Sequence, residues 1–217
     1  MSDNLPSLPR IGDTAPDFTA PTTHGELGFH AWKQGQWAIL FSHPADFTPV
    51  CSTELTAFAR RNDEFAARNT RLIGVSIDSI HSHLAWVENL RSILGVRLPF
   101  PLIADLSTDV ARKYGMIHPG ESSTVTVRAL FIVDPKNTIR AIIYYPLNVG
   151  RSVDEVLRAL VALQTADTHG VACPVDWTPG QKVIVPPPRT VAQVDERNAL
   201  SGVERLDFYL VRKDLPL

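Results

Sequence analysis

The sequence is sparing with sulfur, since its 217 residues include only two cysteines and two methionines. Two cysteines cannot form the disulfide framework that stabilises small secreted domains. The sequence also lacks the C-x-x-C pair of a dithiol and the H-E-x-x-H pattern of a zinc protease. His81 and His83 are two residues apart, which directs them to different sides of a helix. We therefore expect no metal site, and each cysteine is either a buried inert thiol or a reactive one.

Strong charge and long apolar runs are absent as well. The formal net charge is -2, which gives no general attraction to nucleic acid or to an anionic membrane. No apolar run approaches the length of a membrane span. The first ten residues have no apolar core of a signal peptide, so we expect a cytoplasmic protein without nucleic-acid or membrane partners.

Apolar patterns along the chain alternate between buried strands and amphipathic helices. The predicted strands are residues 36–42, 71–78 and 100–105, followed by a hairpin of residues 128–134 and 138–145 around the turn "PKN". The predicted helices are residues 51–68, 80–94, 107–115 with Ser107 as N-cap, and 152–167. This order favours a mixed sheet with helices on both faces, which is a thioredoxin-like α/β sandwich.

The amino-acid composition of the sequence changes after residue 173. Residues 174–189, "PVDWTPGQKVIVPPPR", contain five prolines and are typical of a stiff extended linker. Residues 191–200 then follow a helical pattern and residues 205–212 a strand pattern. We therefore predict a thioredoxin-like domain over residues 1–173 and a small α+β domain over residues 174–217.

One short stretch, "SHPADFTPVCSTEL" at residues 42–55, carries the features of a reactive site. Cys51 lies where a loop becomes a helix, and the positive end of a helix dipole favours the thiolate over the thiol. The hydroxyl of Thr48, three residues earlier, can point into the same pocket. Pro44 and Pro49 restrict the backbone of the loop. The alternative is a buried, inert cysteine with a loop threonine.

A thiolate in this loop needs a cation nearby, and Arg128 is the first candidate. It opens an otherwise apolar strand and offers a permanently charged fork of donors. Arg151 precedes the last predicted helix of the sandwich and is a second candidate cation. His43, beside Pro44, is a further candidate for contact with the substrate. The alternatives are surface charges for the arginines and local packing for His43.

These residues resemble a known family. Pro44, Thr48 and Cys51 match the P-x-x-x-T-x-x-C signature of peroxiredoxins, and "HPADFTPVCSTEL" with the segment after residue 174 is similar to the one-cysteine, peroxiredoxin-6-like subfamily. The resemblance implies a peroxidase without metal, haem or flavin that reduces hydrogen peroxide and organic hydroperoxides. It also implies that Cys51 becomes a sulfenic acid, while Thr48 and Arg128 hold the peroxide. Antioxidant defence and redox homeostasis are the implied roles.

Cys173 departs from a purely one-cysteine pattern. Its context, "ACP" followed by a tryptophan, resembles the segment of two-cysteine peroxiredoxins that carries the resolving cysteine. A resolving Cys173 implies a disulfide with the Cys51 of a second subunit and reduction by thioredoxin-type proteins. A passive Cys173 implies glutathione or another small thiol instead. The resemblance implies a homodimer or a larger ring. The alternative functions are a dithiol carrier, which the missing C-x-x-C disfavours, and a holdase chaperone.

Overall fold

The computed structural model describes residues 8–215 of the chain. Contacts between residues divide the chain into two compact units, with the division between Val153 and Asp154. The predicted domain boundary after residue 173 stays a prediction. No helix within residues 8–215 is both long and apolar enough to cross a membrane.

A seven-stranded mixed sheet is the centre of the first unit. Its strands are β1 (Thr19–Thr22), β2 (Gly25–Gly28), β3 (Trp37–Ser42), β4 (Thr70–Ser76), β5 (Leu102–Ala104), β6 (Arg128–Val133) and β7 (Ile139–Tyr145). Their order across the sheet is β2-β1-β5-β4-β3-β6-β7. Strands β3, β4 and β5 are parallel, whereas β6 runs antiparallel to both β3 and β7. The mixed sheet and the hairpin predicted from the sequence are confirmed.

The middle of this sheet is buried along its whole length. All six residues of β3 and all six of β6 are buried, which explains why both read as continuous apolar runs rather than as alternating ones. Gly74 of β4 allows close packing against β5, because a Cβ atom there would lie 2.6 Å from Leu102 Cδ2. The sheet is therefore a rigid support for the loops at its edges.

The described part of the first unit, from residue 8 on, contains five helices. They are α1 (Phe29–Lys33), α2 (Pro49–Arg60), α3 (Asn62–Ala66), α4 (Ile80–Leu94) and α5 (Asp109–Lys113). Helix α2 is fixed to β3 by stacking of Phe58 on Phe41, whose ring centroids are 4.6 Å apart. This contact packs the last turn of α2 against the end of β3.

Two predictions about these helices were wrong in detail. The helix expected over residues 51–68 begins at Pro49 and is interrupted at Arg61, which has φ −106° and ψ 9°. Ser107 is not an N-cap, because α5 begins at Asp109 after Thr108, and the Ser107 hydroxyl donates to the carboxylate of Asp109 instead. Thr108 adopts the left-handed conformation with φ 66°, a local geometry that apolar periodicity does not reveal.

The second unit has its own small sheet and core. Helix α6 (Val153–His169) starts at the unit boundary, and it is followed by β8 (Val183–Ile184), α7 (Val191–Ala199), β9 (Glu204–Asp207) and β10 (Leu210–Lys213). The three strands pair antiparallel in the order β8-β10-β9. The strand predicted over residues 205–212 is thus two strands with a turn between them.

The proline-rich segment contributes to this second core. Trp177 and Val183 are buried and pack with Val171, and Cys173 lies partly buried against the same cluster. The Trp177 indole also donates to the carbonyl of Gln181 at 3.0 Å. Residues 174–189 therefore include both a buried anchor and strand β8.

Candidate active site around Cys51

Cys51 lies in the first turn of α2. Thr48 is the N-cap with φ −109° and ψ 148°, and Pro49 and Val50 separate it from Cys51. A proline is well placed in the first turn because its missing N–H has no intrahelical acceptor there. The amides of this turn carry the positive end of the helix dipole, and Cys51 lies at that end of α2. Cys51 itself is fully buried.

Arg128 is next to the Cys51 sulfur. Its Nη1 lies 3.4 Å from Cys51 Sγ and donates to Glu54 Oε2 at 2.7 Å. The opposite side of the guanidinium is held by the carbonyl of Leu147, which accepts from Nε at 3.0 Å and from Nη2 at 2.6 Å. Arg128 is the first residue of the rigid strand β6, so the guanidinium is fixed in place beside the thiol.

Glu54 connects Arg128 to Arg151. Its Oε1 accepts from the Arg151 backbone N–H at 2.6 Å and from Nε at 2.8 Å, and its Oε2 accepts from Arg151 Nη2 at 2.9 Å. Arg151 also donates to the carbonyls of Ala129 at 2.7 Å and Ser42 at 2.9 Å. All three charged side chains are buried. Burial alone would raise the pKa of Glu54, but its hydrogen bonds and attraction to Arg151, with the charge of Arg128, outweigh burial and lower that pKa.

The charges of this cluster do not cancel. Two guanidinium groups face one carboxylate, which leaves one positive charge in excess next to Cys51. Such an excess in a buried site stabilises an anion more than it would in water. Glu54 was missed in the sequence, although its spacing offered a signal: it follows Cys51 by three residues and therefore shares one face of α2.

The loop before Cys51 is shaped by Pro44 and Thr48. Pro44 is buried, and Thr48 is half-buried with its hydroxyl donating to the carbonyl of Ala45 at 2.9 Å. The Thr48 carbonyl accepts from the Ser52 amide at 3.0 Å. Phe47 adopts φ 54°, a conformation that costs a bulky residue on the order of 1 kcal/mol or more. The loop thus holds a strained backbone immediately before the helix.

His43 belongs to a second buried cluster that the sequence did not reveal. Asp46 accepts from His43 Nε2 at 3.0 Å, and its Oδ2 lies 2.8 Å from Nδ1 of His83, a residue 37 positions further along the chain. Among residues 8–215 this is the one set of three side chains whose ligand atoms could meet at a metal ion. The distances are those of hydrogen bonds that already connect the three groups, so we interpret the cluster as a hydrogen-bonded one.

Cys173 lies in the second unit. Its half-buried thiol donates to the carbonyl of Ala162 at 3.5 Å. Burial raises the pKa of the Cys173 thiol, and the charge of Arg158 acts in the opposite direction. In this conformation Cys173 is therefore a hydrogen-bonded thiol rather than an activated nucleophile.

Family comparisons agree with this arrangement. Residues 11–142 match the AhpC/TSA family, and residues 162–198 match the C-terminal domain of 1-Cys peroxiredoxin. A curated peroxiredoxin of Aquifex aeolicus is 52% identical over 217 aligned positions, which cover 95% of this chain and 97% of the relative. The match therefore extends over both units.

Solved structures give the same result. A yeast mitochondrial 1-Cys peroxiredoxin, described with thiol resolution through glutathione and thioredoxin systems, is 39% identical with a TM-score of 0.86, covering 95% of this chain and 99% of that one. A cysteine-to-serine mutant of peroxiredoxin 6 from Arenicola marina is 35% identical with a TM-score of 0.87, covering 95% and 98%. The predicted thioredoxin-like fold is thus confirmed. Together with these matches, it places the protein in the class of thiol-dependent oxidoreductases. The chain belongs to the peroxiredoxin family and is a thiol-dependent peroxidase.

Proposed function

We propose that Cys51 is the peroxidatic cysteine that reduces hydrogen peroxide and organic hydroperoxides. The observation that carries this proposal is the 3.4 Å contact between Cys51 Sγ and Arg128 Nη1 at the start of α2. The Cys51 thiolate attacks one peroxide oxygen, the O–O bond breaks, and the sulfur becomes a sulfenic acid. The other oxygen leaves with its electron pair, takes one proton from solvent, and departs as water or an alcohol.

The neighbouring residues have separate roles in this step. Arg128 donates to the peroxide and stabilises the negative charge that develops on its leaving oxygen. Thr48 contacts the peroxide through its hydroxyl oxygen, and Pro44 shapes the wall of the pocket. Arg151 acts through Glu54, since it fixes the carboxylate that in turn holds Arg128. His43 supplies a further substrate contact from the loop before α2.

A thiol then attacks the sulfenic acid, the S–O bond breaks and water leaves, and the mixed disulfide that forms is reduced by a second thiol, which restores Cys51. The thiol-resolved yeast structure supports glutathione or a thioredoxin-type protein as the reductant. The hydrogen bond of Cys173 to Ala162 and the raised pKa of its thiol favour this external route over attack by Cys173. The half-exposed state of Cys173 supports the other route, an intermolecular Cys51–Cys173 disulfide.

Peroxide consumption with dithiothreitol tests the role of Cys51, with Cys173→Ser as the matched control. Cys51→Ser is expected to abolish turnover while Cys173→Ser retains it. Unchanged turnover in Cys51→Ser would refute the assignment. Addition of one equivalent of peroxide without reductant then separates the two routes. A Cys51–Cys173 disulfide that links two chains identifies a two-cysteine cycle, and sulfenic acid alone identifies external resolution.

We also propose a cytoplasmic homodimer. The support for self-association is a group of exposed apolar side chains around the turn between β9 and β10, namely Leu206, Phe208 and Tyr209. The net charge of -2 gives no general attraction to nucleic acid, so we do not propose a nucleic-acid partner. Light scattering on the purified protein measures the oligomeric state, and a monomer at micromolar concentration would contradict this proposal.

A further inference from the structure

The cluster of His43, Asp46 and His83 is buried and connects three separate parts of the first unit. His43 opens the loop that leads to Cys51, Asp46 lies within that loop, and His83 belongs to α4. The carbonyl of His43 accepts from Thr126 Oγ1 at 2.8 Å, two residues before Arg128. The cluster is therefore attached to both segments that carry the candidate site.

Hydrogen-bond partners determine where the ring protons lie. His83 Nε2 is 3.0 Å from the carbonyl of Ile103, an acceptor only, so this nitrogen carries a proton. Its Nδ1 faces the Asp46 carboxylate at 2.8 Å, which requires a second proton in that hydrogen bond. Burial would raise the pKa of Asp46, but hydrogen bonds from His43 and His83 outweigh it and lower that pKa. The second proton therefore lies in the hydrogen bond between His83 Nδ1 and Asp46.

The same reasoning fixes the tautomer of His43. Its Nε2 lies 3.0 Å from the Asp46 carboxylate and must donate to it. Burial lowers the pKa of His43, opposed by Asp46 and Asp78 and assisted by His83, so the ring is neutral with one proton. Nδ1 is then a bare acceptor, and it has no hydrogen-bond partner within residues 8–215. An unsatisfied buried acceptor costs about 1–3 kcal/mol, so a donor from outside the protein is favoured there.

We propose that Asp46 and His83 are positioning residues of the peroxidase site, which hold His43 with its proton on Nε2 so that Nδ1 accepts one O–H of hydrogen peroxide. This inference rests on the function proposed for Cys51. Hydrogen peroxide has two O–H groups, so it can use a second acceptor beside the Thr48 oxygen, together with the donor that Arg128 supplies. The His43 ring also lies 5.2 Å from the ring of Trp86, which restricts its orientation.

Nitrogen-15 NMR of histidine-labelled protein tests the proton positions without any turnover. In both wild type and Cys51→Ser, we expect His43 to show the pattern of a neutral ring protonated at Nε2. Because the measurement does not use the reactivity of Cys51, it separates this inference from the assignment of Cys51. A proton on His43 Nδ1, or one equivalent of bound metal by elemental analysis, would overturn the proposal.

Two substitutions of Asp46, both branched at Cγ as aspartate is, test the consequence for peroxide. Asp46→Asn can accept from His43 through its amide oxygen and donate to a neutral His83 through its amide nitrogen, so it preserves the His43 tautomer. Asp46→Leu can do neither. We expect Asp46→Leu to lower the rate constant of Cys51 oxidation by about tenfold, equivalent to one lost hydrogen bond, and Asp46→Asn to restore it within about twofold. Equal rates in the two variants would overturn the proposal, and the NMR result decides it if Asp46→Leu does not fold.

Discussion

Replacement of Glu54 by glutamine keeps the volume of the side chain and removes the negative charge between Arg128 and Arg151. The amide oxygen can retain the two hydrogen bonds that Oε1 accepts from Arg151, at 2.6 and 2.8 Å. The amide nitrogen, in the position of Oε2, cannot accept from Arg128 Nη1 or Arg151 Nη2. Two charge-assisted hydrogen bonds are lost, and the two buried guanidinium groups are left without a negative counter-charge. We expect a loss of about 3–5 kcal/mol in the free energy of unfolding.

Urea unfolding followed by circular dichroism measures this loss, provided that the slope of the transition stays constant. Glu88→Gln is the matched control, because Glu88 forms an exposed ion pair with Arg91 on α4, and we expect no measurable change in its midpoint. A loss of under about 1 kcal/mol for Glu54→Gln would refute the view that Glu54 balances the two buried arginines.

The same cluster predicts a dependence on pH. The pKa of Glu54 is lowered in the folded protein, so the unfolded chain binds a proton at this carboxyl more readily. Its contribution is fully present above the ordinary carboxyl pKa and is lost as pH falls through the lowered folded value. The stability difference between wild type and Glu54→Gln should therefore be largest near pH 7 and shrink in acid. A constant difference from pH 7 down to pH 3 would contradict this assignment.

Three further substitutions test the site and its support. Arg128→Lys should slow oxidation of Cys51 by about a hundredfold or more, because one ammonium group cannot reproduce the fork of donors of a guanidinium. Stopped-flow kinetics measure the rate constant of this oxidation, and a wild-type rate constant in the variant would exclude the role of Arg128. Thr48→Val should slow oxidation of Cys51 about tenfold, whereas Thr48→Ser, which keeps the hydroxyl, should not. Equal rate constants in these two variants would show that the hydroxyl has no role in the reaction. Gly74→Ala should lower stability by about 1–3 kcal/mol in urea, since its Cβ would lie 2.6 Å from Leu102 Cδ2, and an unchanged midpoint would mean that β5 adjusts freely.

Much of the first unit was predictable because its main strands and helices have distinct patterns of apolar residues in the sequence. Buried central strands such as Trp37–Ser42 read as continuous apolar runs, and Ile80–Leu94 was predicted with its observed ends from its regular amphipathic spacing. In the structure, Ser79 and Gly95 cap this helix at those ends. The short helix Phe29–Lys33 was missed, since five residues are too few to show a period. The break at Arg61 was missed because the apolar spacing continues across it.

The candidate site was predictable where its chemistry is local in sequence. Cys51 and Thr48 were identified by their place at a loop-to-helix junction, and Arg128 by its charge at the start of an apolar strand. Contacts between distant residues were not predictable in this way. The link from His43 to His83 depends on how α4 packs beside the loop, and no spacing rule reports that. The role of Glu54 could have been predicted from the sequence, because a carboxylate one turn after Cys51 on a buried helix face requires cationic partners.

The most direct test of the account is the site of first oxidation. Reduced protein is treated with one equivalent of hydrogen peroxide in the presence of dimedone, which traps sulfenic acids, and the adduct is located by peptide mass spectrometry. The account predicts one dimedone adduct at Cys51 in wild type and in Cys173→Ser. An adduct confined to Cys173, or peroxide consumed without any modification of Cys51, would contradict it.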